Sequence, residues 1–113
     1  MRNAYEIPEL RFSAVSGAAV PRHRFVSIDT NGNGITNDGS NAVVGVSMNQ
    51  CDKADEVLEI AKGIVVVEAA GAISAGTVVK SDASGKATVG EGKTGIVAIT
   101  GAEANGDLIS VLL

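Results

Sequence analysis

Tryptophan is absent from this chain of 113 residues, and the aromatic side chains stop at Phe25, after Tyr5 and Phe12. Sugar-binding modules stack their ligands on exposed aromatic platforms, so this scarcity argues against carbohydrate recognition. Cysteine is nearly missing too. Cys51 stands alone, which excludes an intrachain disulfide and agrees with synthesis in a reducing compartment. No apolar run is longer than Ile64 to Val67, a strand-sized stretch far short of a membrane-spanning helix. The opening residues MRNAYEIPEL hold no apolar core of a signal peptide, so the sequence reads as that of a protein made in the cytoplasm, with no membrane partner. Positive charge is scarce outside the front of the chain. All four arginines (Arg2, Arg11, Arg22, Arg24) precede Phe25, and the remainder carries five lysines against eleven acids. A nucleic-acid binder needs a basic face that releases counterions, and the acidic body offers none.

What is present is equally one-sided. Valine and isoleucine supply 24 residues and glycine 14. β-branched side chains favour pleated strands, and glycines supply the positive φ of tight turns, so the composition predicts an all-β chain of many short strands. The length suits one domain, with or without an arm.

Residues 1–17 differ from the rest. Pro8 interrupts regular structure, and Ser16-Gly17 marks a boundary before the body at 18–113. Tyr5, Ile7, Leu10 and Phe12 are apolar, as expected of an extended N-terminal arm that packs on a neighbour, or of an edge strand of the same domain. The body repeats itself, over about 18–62 and 71–113. Ala19 to Gly32 lies over Ala72 to Gly85, each a β-rich segment entering an Asp-x-x-Gly turn; Gly45-Val46 is matched with Gly95-Ile96, and Glu56 to Ile60 with Asp107 to Val111. Two copies are too few for a solenoid, so a small barrel or sandwich is predicted in which two pseudo-repeated hairpin units share one core. Strands are predicted over Arg24–Ile28, Ala42–Met48, Glu56–Ala61, Thr77–Ser81, Gly95–Ile99 and Asp107–Leu112. Gly63–Glu68 reads as a linking strand buried on both faces, and Cys51–Glu56 as room for one helical turn.

Motifs that suggest chemistry fail on their own terms. Asp29-Thr30-Asn31-Gly32-Asn33-Gly34 opens like an EF-hand loop, but the position of the closing bidentate carboxylate is Ser40 and that of the hydrophobic anchor is Thr36. The repeat retains only Asp82 and Gly85 of that pattern, so the shared feature is a turn. Lys86 follows a hairpin turn as carrier lysines do, but Ser84-Gly85 separate it from Asp82. Gly90-Glu91-Gly92-Lys93-Thr94-Gly95 imitates a phosphate loop without its spacing or its following helix. His23 and Cys51 could form a nucleophilic pair only if the fold assembled them. No catalytic, metal or cofactor site is predicted, and the chain is not read as an enzyme.

The segment Gly71 to Ala87, then Gly95-Ile96-Val97-Ala98, then Gly106 to Leu113, resembles the small β-rich capsid decoration (cement) proteins of tailed bacteriophages. That resemblance implies a structural role without a cofactor: binding the capsid exterior of a virion, contacting the major capsid protein, and stabilising contacts between its subunits. It also implies a homo-oligomer, with a trimer favoured. Arg2, Tyr5, Ile7, Leu10, Arg11 and Phe12 are the candidate capsid contacts, and removal of residues 1–12 is expected to leave the body folded. The competing class is a carrier or ligand-binding β-module, lipoyl-like with Lys86 modified, or carbohydrate-binding.

Overall fold

The computed structural model describes residues 4–90 and 94–113, and these contain nine strands and no helix. They are β1 (Ile7–Val15), β2 (Phe25–Ile28), β3 (Gly34–Thr36), β4 (Gly45–Ser47), β5 (Val57–Glu68), β6 (Val79–Ser81), β7 (Ala87–Val89), β8 (Val97–Ala98) and β9 (Leu108–Leu112). All strand pairs are antiparallel. Cys51 bridges to Val20 and residues 52–56 form bends and turns, so the room for a helical turn over Cys51–Glu56 is not used.

The two Asp-x-x-Gly turns are the same structure built twice. Asp29 Oδ1 accepts hydrogen bonds from the amides of Asn31 and Asn33, and Asp82 Oδ1 accepts from those of Ser84 and Lys86. Gly32 and Gly85 close the turns at φ of 82° and 80°. A carboxylate that satisfies two turn amides explains why aspartate recurs here. Later the match continues. Val20 and Cys51 exchange backbone hydrogen bonds, as do Ile73 and Ala102. The Glu56 carboxylate accepts from the amides of Asp52 and Lys53, and the Asp107 carboxylate from those of Glu103 and Ala104. The hinge between them has positive φ in both copies, at Asp55 and Gly106.

The geometry corrects the sequence reading in three places. First, of the predicted arm 1–17, the described residues 4–17 are not set apart from the body. Ile7 to Val15 form β1, which pairs with β5 from Ile7↔Ile64 to Val15↔Val57, so the edge-strand alternative holds. Pro8 lies inside that strand at a bulge, where a missing N–H is tolerated. Second, β1 is the opening strand of the first repeat, and its counterpart is the second half of β5. Third, Val46 corresponds to Val97, not Ile96: Val46 pairs with Phe25 and Ala61, and Val97 with their counterparts Val78 and Leu112. Gly63, at φ 109°, lets two predicted strands run on as one β5.

Pairings within each repeat form a closed circuit. In the first, β1 pairs with β5, β5 with β4, β4 with β2, β2 with β3, and a bridge from Gly34 to Ser16 returns to the end of β1. In the second, the far half of β5 pairs with β9, β9 with β8, Val97 with Val78 at the head of β6, β6 with β7, and Ala87 with Ala69 beyond β5. The chain is therefore two five-stranded barrels fused through one long strand, spanning 36 × 25 × 23 Å. Closing a sheet removes edges that would otherwise template aggregation.

The expected single core is accordingly divided. Val20, Val26, Cys51, Leu58 and Ile60 fill the first barrel, with Phe12, Ala14 and Val44 packed on them. Their counterparts Ile73, Val79, Ala102, Ile109 and Val111, with Val65 and Val67 in place of Phe12 and Ala14, lie in the larger second cluster. That cluster also takes in Phe25, Val46 and Ala61 from the first barrel, which makes it the joint between the two. At Gly34 a Cβ would meet Leu58 Cδ2 at 2.6 Å, so the buried Leu58 side chain would have to shift to admit one.

Candidate functional site

Of the six predicted contact residues, four are exposed along the β1 edge, with the adjacent Leu10 and Arg11 on opposite faces of the strand. Tyr5, Ile7, Leu10 and Arg11 are exposed, with Ile7 61% accessible. Arg2 lies outside the described residues. Phe12 does not belong to this surface: it is half-buried and packs on the first-barrel cluster. The alternation of Phe12 and Ala14 with Ser13 and Val15 carried that signal, since side chains one apart in a strand face opposite ways.

The edge is held firmly. Buried Ser110 on β9 clasps the backbone of Tyr5, its Oγ accepting from the Tyr5 amide at 2.6 Å and donating to the Tyr5 carbonyl at 2.5 Å. The bulge between Pro8 and Leu10 bends β1 opposite Gly63, where a Cβ would come within 2.5 Å of the Glu9 amide nitrogen. Beyond the bulge the register sets Ile7 opposite Ile64, and Ile64 opposite Leu112. Directly opposed residues share a face, so an apolar row runs over three strands. Leu112 is 50% accessible and Ile64 half-buried, while Val65, Val66 and Val67 are buried as the unbroken run predicts.

The remaining sequence candidates are occupied by structural contacts. The Lys86 ammonium lies 2.9 Å from the Glu68 carboxylate and 3.1 Å from Asn105 Oδ1. Glu68 also meets the Arg24 guanidinium at 3.3 Å, and Arg24 donates to the Ser84 carbonyl. This triad stitches the two barrels together. The hydrogen bond from Lys86, aided by Arg24 and opposed by partial burial, holds the Glu68 carboxyl below its ordinary range. The Cys51 thiol is buried and faces the Val57 carbonyl at 3.4 Å, while His23 Nδ1 lies 3.3 Å from the Val66 carbonyl. Burial, then the Arg22 charge, lower the His23 pKa. Nothing in these contacts aligns a nucleophile with a base. The carboxylate of the EF-hand-like loop is turned onto its own amides. The core of the phosphate-loop imitation, 91–93, lies outside the described residues. A cleft of about 490 Å³ runs between the Asn37–Val43 loop and Lys80, Ser81, Ile96 and Leu113, with Lys80 the only ionisable side chain among its described lining residues.

The fold has a solved counterpart. The chain is similar to the N base of the head fiber protein gp8.5 of bacteriophage phi29, with a TM-score of 0.75 over 92% of each chain. Identity is 16%, so the likeness is one of fold. No protein-family model matches the chain, and no curated protein does.

Proposed function

We propose that this chain is a structural protein of a tailed-phage head, a decoration module seated on the outer surface of the capsid as a homo-oligomer, with three copies the favoured state. The observation that carries the reading is the fold shared, nearly end to end, with the base of a phage head fiber. The Gly/Ala/Val pattern of the second barrel, resembling capsid decoration proteins, points the same way. The two-barrel body suits the task, because a closed, fused scaffold presents a fixed surface without ordering cost on binding.

In this reading the exposed edge of Tyr5, Ile7, Leu10 and Arg11 contacts the major capsid protein. Packaged DNA pushes capsid subunits apart, and a module that binds only the assembled lattice stabilises it by mass action. An interface of ordinary size, on the order of 1,600 Å², is enough when repeated over the shell.

The test is to incubate the purified chain with undecorated phage heads and image them. Added density at symmetry-related positions is expected, and its loss when Leu10→Glu and Arg11→Glu are combined. These positions are exposed, so the pair leaves the barrels folded. Heads that stay bare with the unaltered chain, or bind the double variant equally well, overturn the proposal.

A further inference from the structure

We propose that copies of this chain associate head to tail, the free face of one copy's second barrel docking on the free face of another's first barrel through the contact the two barrels already make within the chain. The observation behind this is an asymmetry between equivalent positions. Inside the chain, the first barrel's back face (Phe25, Thr36, Val46, Ala61, with Arg24 at its rim) is laid on the second barrel's front face (Glu68 and the hairpin of Ser81 to Lys86). The Phe25 amide donates to the Gly85 carbonyl at 2.7 Å, and a Cβ on Gly85 would strike Thr36 Cγ2 at 2.6 Å. The same turn in the first barrel is bare: a Cβ on Gly32 would meet nothing within 4 Å.

Each chain therefore carries one unused front and one unused back. Their composition is not that of ordinary solvated surface. On the free front, Val15 stands where the second barrel has Glu68, Ile28 where it has Ser81, and Val57, 63% accessible, beside Val15 where it has Leu108. On the free back, Val89 stands where the first barrel has Thr36, and Leu112 where it has Ala61; both are 50% accessible, while Ala61 is fully covered. Five of the eight large apolar side chains exposed on the described residues thus fall on these two faces. The internal charges disappear in concert. Arg24, Glu68 and Lys86 correspond to Thr77, Val15 and Asn33, so both sides of the contact have exchanged ions for neutral groups. Two faces left to solvent would have no physical reason to lose matching charges and gain apolar area together, whereas two faces that meet would.

Such a contact is heterologous: it closes into a ring if the rotation per barrel divides a full turn, and grows as a filament if it does not. Three copies in a ring would set six barrels around one axis. The inference stands apart from the phage-head reading, since a chain that binds no head would still self-associate.

Sedimentation velocity of the full chain over a wide concentration range tests it. Concentration-dependent association is expected for the unaltered protein, weakened by about tenfold or more in Val15→Glu and in Thr77→Arg, each of which buries an unpaired charge. Combining the two recreates across copies the Arg24–Glu68 pair seen inside the chain, and association should return toward the original strength. Urea midpoints equal to that of the unaltered chain, measured at a concentration where the unaltered chain is monomeric, verify folding, and Val89→Asp provides an independent lesion of the other face. A chain that stays monomeric throughout, association unmoved by Val15→Glu and Val89→Asp, or a double variant no better than its singles overturns the proposal.

Discussion

Substituting alanine at Gly32 and at Gly85 provides a comparison with a built-in control. The two glycines close equivalent turns with nearly equal backbone angles, φ 82° and 80°. A Cβ in this left-handed region costs about 1 kcal/mol at either site. There the likeness ends. At Gly32 the added methyl enters open space in the single chain, so at protein concentrations low enough to keep the chain monomeric the cost is conformational only. At Gly85 it lands 2.6 Å from Thr36 Cγ2, 3.1 Å from the Phe25 carbonyl oxygen and 3.2 Å from Arg24 Cβ. The turn cannot easily retreat, because its carbonyl is tied to the Phe25 amide and the neighbouring Ser84 carbonyl to Arg24. Overpacking a close contact of this kind adds roughly 1–3 kcal/mol. Gly32→Ala should therefore lose about 1 kcal/mol and Gly85→Ala about 2–4 kcal/mol. Urea unfolding followed by circular dichroism, at neutral pH and with the slope compared between variants, measures both. Equal losses would refute the reasoning, for they would mean that the barrel joint is loose enough to admit a methyl group. A greater loss at Gly32 would refute the assignment of which turn is covered.

Three more expectations follow from the joint and from β1. Because Lys86 and Arg24 depress the folded-state pKa of Glu68, its ionised form stabilises the fold above the ordinary carboxylate pKa of about 4.3. That contribution should fade as pH falls from there through the depressed value. Glu68→Gln should remove this part of the acid dependence in urea titrations taken at successive pH values, and an unchanged acid limb would contradict the triad's role. Phe12→Ala should cost about 2 kcal/mol, less than a fully buried phenylalanine. Deleting residues 1–12 should cost more, because it also strips β5 of partners from Ile64 to Ile60. A truncated chain as stable to urea as the whole would restore the view of this segment as a separate arm.

Much of the fold was legible in residue order, for identifiable reasons. Valine and isoleucine runs announce strands because branched side chains suit the pleat. Asp29-x-x-Gly32 and Asp82-x-x-Gly85 announce turns because one carboxylate satisfies two amides and glycine takes positive φ. β3 and β7 went unread, since Gly34–Thr36 and Ala87–Val89 are three residues each and too short to show alternation. Tyr5, Ile7, Leu10 and Arg11 drew notice as apolar or basic where a tail should be neutral and polar, and all four are exposed; the exposure of Leu112 was not legible, because it depends on what the neighbouring strands leave open.

Sequence alone, then, determined the all-β character, the duplication and the sites of its turns, all of which are local: they rest on backbone preference and on hydrogen bonds between residues two to four apart. Only tertiary structure decided that the duplication makes two barrels and not one, that β1 completes the first of them, and that one copy of a repeated turn is covered while the other is bare. These outcomes turn on pairings between distant residues, such as Ser16 with Gly34 or Phe25 with Gly85. Similar local sequences can enter either environment, and the choice is made by which surfaces the closed sheets bring face to face.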